Sequence, residues 1–103
     1  MINKELSPKR LQKSGEFDRA LESYKRRYYD ALEEGDQFLS SLYMDEIVQT
    51  LLLQKGGKIQ ESTLRQLLAD VVKELGANKE QGTVQDVEVA VRKRFPERFQ
   101  IEA

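Results

Sequence analysis

The sequence predicts a mainly α protein, a small four-helix domain with at most a short two-stranded β element. Apolar residues recur at spacings of three and four through most of residues 17–75, which lays them along helix faces. Gly35, Gly56 and Gly76 fall just where those runs stop. At 103 residues the chain has the length of one domain, and a domain of that size buries enough surface for a core without disulfides or metal clips.

The first fifteen residues are polar and show no sustained apolar period. With Lys4, Lys9, Arg10 and Lys13 they read as a flexible basic arm, residues 1–15, with room for a helical turn after Pro8. Residues 16–103 then form the single helical domain. Its first helix, Glu16 to Glu34, carries Phe17, Ala20, Leu21, Tyr24, Tyr28, Ala31 and Leu32 on one face and stops at Gly35. Asp36 caps the second, which runs to Lys55 with Phe38, Leu39, Leu42, Tyr43, Ile47 and Leu51 on its stripe. Val48, Leu52 and Leu53 widen that stripe, so this helix is expected at the centre of the domain.

Gly57 to Gln60 is too short for a helix and fits one extended rung. A third helix spans Glu61 to Leu75, with Leu64, Leu67, Leu68, Val71 and Leu75 on its stripe. After a polar linker, Thr83 and Asp86 have the spacing of a capping box, which predicts a fourth helix from Val84 to Phe95, closed by Pro96. Val87, Val89 and Val91 also alternate as a strand would, but the Val84, Val87, Val91, Phe95 spacing favours the helix. The tail Phe99-Gln100-Ile101 is expected to pair with Lys58 to Gln60.

Composition narrows the chemistry. Histidine and cysteine are both absent, which removes thiolate nucleophiles, thiolate zinc sites and the usual neutral-pH proton shuttle. The carboxylates fall at helix starts, polar faces and loops, with none in an apolar stretch that would tune it for acid or base work. No catalytic residue, cofactor, metal or small-molecule substrate is therefore expected, and the chain reads as a non-enzyme. Seventeen basic residues nearly cancel 18 acidic ones, so electrostatic recognition must be local. The longest aliphatic run, Leu51-Leu52-Leu53, is far short of the roughly 20 residues of a membrane span, and residues 1–15 lack the apolar core of a signal peptide. A cytoplasmic protein with no membrane contact is the expectation.

Three features bear on binding. Tyr24-Lys25-Arg26-Arg27-Tyr28-Tyr29 interleaves cations with aromatics, the composition of a surface on which bases stack. As a helix, however, it turns Tyr24 and Tyr28 inward and its cations toward acids such as Glu22 and Asp30. Tyr24, Arg27, Tyr28 and Tyr29 are the candidate partner-binding residues. Arg92-Lys93-Arg94 and Arg98, with Lys58, form a second basic group suited to phosphates, although cations at a helix C-terminus also complement its dipole. Lys55-Gly56-Gly57-Lys58 lacks the spacing of a phosphate loop and reads as a helix end followed by a turn.

Helix, short extended segment, helix, linker, helix and terminal strand in residues 44–101 resemble the layout of a winged-helix or related helix-turn-helix domain. The resemblance implies that Val84 to Phe95 stands where such domains carry a recognition helix. Two functions follow. The leading one is a non-catalytic protein-protein interaction module, an adaptor or small regulatory subunit that binds a protein partner or a second copy through helix faces. The alternative is a winged-helix-like regulator that binds nucleic acid through Lys58, Arg92, Lys93, Arg94 and Arg98.

Overall fold

A computed structural model describes residues 7–75, 80–93 and 100–102. Five helices and two short strands follow in the order α1 (Pro8–Lys13), α2 (Phe17–Glu33), α3 (Gln37–Gln54), β1 (Lys58–Gln60), α4 (Glu61–Leu75), α5 (Glu80–Lys93) and β2 (Gln100–Glu102). The helices expected first, second and third are α2, α3 and α4.

α1 is the helical turn expected after Pro8, and it packs on the fold where an arm was expected. Ser7 caps it through its side chain and Pro8 opens it, where a missing N–H costs nothing. Leu11 and Gln12 are both buried. The segment looked unstructured because one leucine makes no period. Polar contacts across the fold hold it instead: Lys9 Nζ lies 2.8 Å from Glu46 Oε1, and Gln12 Nε2 donates to Thr50 Oγ1 at 2.8 Å. The Thr50 hydroxyl in turn donates to the Glu46 carbonyl at 2.7 Å, so the buried polar atoms beneath α1 are paired.

α1, α2 and α3 all end in one way. The N–H of the glycine just beyond the cap residue donates to a carbonyl three residues back, and the next N–H reaches five back; at the end of α2, Gly35 N donates to Leu32 O at 3.1 Å and Asp36 N to Ala31 O at 2.9 Å. This Schellman closure needs a left-handed residue, and Gly35 supplies it at φ 71°. Gly56 and Gly57 do the same after α3, as expected of a helix end. Asp36 then accepts the Leu39 N–H at 3.0 Å and starts α3, so one short turn reverses the chain into an α2–α3 hairpin.

α3 is the central helix, with α2, α4 and α5 packed around it. Met44, Ile47, Val48 and Leu52 are fully buried, joined by Tyr28 of α2 and by Leu64 and Leu68 of α4. α5 contributes Ala90 and Val91, with Val87 packed against the same core. Val89 stands outside, 42% exposed, which is the helical resolution of the alternating valines. Arg65 fastens α4 to α5 by placing Nη1 2.9 Å from each Glu88 carboxylate oxygen, and this pairing holds Glu88 below the usual carboxylate range.

Two further expectations are corrected. α5 begins at Glu80, so Thr83 lies inside the helix and Thr83 and Asp86 form no capping box; Asp86 is taken by a tertiary partner, the Tyr28 hydroxyl. Phe38, placed on the core stripe of α3, is 76% exposed. It belongs to the row Phe38, Leu42, Asp45, Gln49, which turns polar in its second half and lies across the helix from the buried Met44, Ile47 and Leu51.

The strands pair as expected, with Ile59 opposite Ile101, while Phe99 of the expected tail lies outside the described residues. The pairing is parallel and crosses over through α4 and α5, whereas a hairpin wing is antiparallel.

Candidate functional site

The α2–α3 hairpin and α5 enclose a cleft of about 330 Å³. Ala31 and Leu32 come from the last turns of α2, Gly35 and Asp36 from the reversal, Gln37, Ser40 and Ser41 from the start of α3, and Asp86 and Val89 from α5. Among the described residues its walls combine apolar surface with two carboxylates and no cation.

Asp86 is the inner of the two. Its Oδ2 accepts a hydrogen bond from the Tyr28 hydroxyl at 2.9 Å. The Ser40 hydroxyl acts on the same carboxylate and lies 3.1 Å from the Gln37 carbonyl oxygen. Burial, chiefly, and the nearby Asp45 charge push the Asp86 carboxyl above its ordinary value, while the two hydroxyls pull the other way. Among the described residues, no cation contributes to this shift. Asp36 at the rim spends one oxygen on the α3 cap. A carboxylate offers about four acceptor positions, so both acids retain capacity toward an incoming donor.

Val89 lines the cleft from α5 and is 42% exposed. Phe38 and Leu42 stand one turn apart on a neighbouring side of α3, 76% and 43% exposed.

The candidate residues read from the sequence fare differently. Tyr24 and Tyr28 are 3% and 0% exposed, so as partner-contacting groups they are corrected: both are core residues, and burial beside Glu46 pushes the Tyr24 hydroxyl well above its usual range. Arg27 and Tyr29 are exposed, but two residues apart on a helix puts them on opposite sides of α2, so no stacking surface forms. Lys25 pairs with Glu22 at 2.9 Å, as expected of a solvated face. Lys58 on β1 and Arg92 on α5 are exposed, and Arg92 acts on Glu88 one turn away. Lys93 ends α5, while its side chain and all of Arg94 and Arg98 lie outside the described residues.

Asp36, Phe38, Leu42, Asp86 and Val89 were missed as a site. The one signal in the sequence was the Phe38 row, apolar at its start and polar further on. Among the described residues, no three His, Cys, Asp or Glu side chains are grouped to hold a metal ion, and no helix is long and apolar enough to cross a membrane. Comparison of the chain with protein families, curated proteins and solved structures gives no match.

Proposed function

We propose that the chain is a non-catalytic interaction module that binds a protein partner through the face formed by the first turns of α3 and the middle of α5. The observation that carries this reading is the exposure of Phe38, 76%, with Leu42, 43%, one turn further along α3. A large aromatic held in water is the kind of group that anchors protein interfaces.

Photo-crosslinking from positions 38 and 42, with position 30 on α2 as control, tests it. Adducts to one protein are expected from 38 and 42 and not from 30. The purified partner should bind the Phe38→Ser variant about 2 kcal/mol more weakly, roughly thirtyfold, with the variant's amide spectrum otherwise unchanged. Equal adducts from all three positions, or unimpaired binding by the variant, overturns the reading.

The second reading is a winged-helix-like nucleic-acid binder, supported by the order of elements in residues 44–101 and by the exposure of Lys58 and Arg92. The parallel β1–β2 pair weighs against a wing. Affinity for random-sequence duplex DNA that falls steeply with salt and weakens on Arg92→Ala would favour it over the first.

A further inference from the structure

We propose that the cleft receives an arginine or lysine side chain of the protein partner, whose flanking apolar residues seat on Phe38, Leu42 and Val89. This deepens the interaction reading and rests on it. Among the described residues the lining carries Asp36 and Asp86 and neither lysine nor arginine, so the cleft is complementary in charge to a cation. The described groups that act on Asp86 are hydroxyls and a second carboxylate. A guanidinium or ammonium entering from the partner supplies an opposite charge and several donors at once. The volume, about 330 Å³, is at the lower limit of the roughly 300–1,000 Å³ of small-molecule pockets and suits one inserted side chain. Carboxylates in the cleft repel phosphate, which disfavours nucleic acid as the occupant.

The test is a selection of random linear peptides displayed on phage against the full chain, followed by affinity measurements on variants. Asp86→Asn keeps an acceptor for the Tyr28 hydroxyl, and Asp36→Ser keeps a helix cap, so each removes charge while preserving its local hydrogen bond. Enriched peptides should carry arginine or lysine between apolar residues. Their affinity should fall about tenfold with Asp86→Asn and further with both substitutions, and replacing the peptide's cation with norleucine should produce the same loss. If Asp86→Asn fails to fold, the Asp36→Ser arm and the norleucine peptide carry the test.

Peptides that lack a cation, or that bind the double variant as well as the wild type, overturn the cationic anchor. If those peptides still lose affinity with Phe38→Ser, the interaction face itself stands. Indifference to Phe38→Ser removes both. Failure to enrich any binder of this face overturns the proposal, as does self-association that Phe38→Ser abolishes, which would assign the face to a second copy of the chain.

Discussion

Leu52→Ala is expected to destabilise the protein by about 2–5 kcal/mol, a large part of the roughly 5–15 kcal/mol that holds a domain together. Leu52 is fully buried on α3, within the core that also holds Leu51, Ile59, Leu64 and Leu68. Truncation removes buried methyl groups and leaves a cavity that helices on several sides cannot collapse to fill. Urea unfolding followed by circular dichroism should show a lower midpoint with an unchanged slope. Phe38→Ala, at a side chain 76% exposed, should stay within about 0.5 kcal/mol of wild type. The two apolar residues stand fourteen positions apart on one helix, and the contrast separates what supports the fold from what faces a partner. Comparable losses from both would mean that Phe38 packs in solution and would remove the basis of the interaction face.

Tyr28→Phe is expected to cost about 1–3 kcal/mol, with a pH dependence that identifies the cause. The Tyr28 side chain is fully buried and its hydroxyl donates to Asp86 Oδ2, so its loss leaves a partly buried carboxylate short of a donor. In the wild type the Asp86 carboxyl is raised above its ordinary value of 3.8, chiefly by burial. The folded state therefore holds that proton more tightly than the unfolded chain, and the site's contribution to stability falls as pH rises from 3.8 through the folded pKa. The Tyr28 hydroxyl opposes this shift; without it the folded pKa rises further and the window of declining stability widens. The gap between wild type and Tyr28→Phe should thus be smallest in acid and grow toward neutral pH. In Asp86→Asn the site's step disappears. Urea unfolding from below pH 3.8 to pH 7 checks this, and parallel curves for Tyr28→Phe and wild type would mean that the hydroxyl does not act through the carboxylate.

Much of the fold was legible because α2, α3 and α4 each satisfy local rules that act within a few residues. The apolar periods of α2 and α4, the Asp36 cap and the glycines after α2 and α3 can be read without reference to the rest of the chain, whereas α3 carries apolar residues on all sides. The rung at Lys58–Gln60 was legible for the same reason, being too short for a helix and bounded by turn residues. α1 was read as an arm because its anchors, Glu46 and Thr50, lie more than thirty residues away in sequence. The start of α5 was placed late because Thr83 and Asp86 have the spacing of a cap, while the carboxylate that would have completed it is engaged by Tyr28, 58 residues distant.

The sequence by itself determined a helical chain, the ends of three helices, the central place of α3 and the absence of histidine and cysteine chemistry. Tertiary structure alone decided which side of each helix is covered, and so where a site could form. Phe38 and Met44 are both apolar residues on α3, yet one is in water and the other in the core, because α2 and α5 cover only part of the helix. The cleft forms where the α2–α3 hairpin meets α5. Its carboxylates come from segments 50 residues apart, and no local rule could have placed Asp36 beside Asp86.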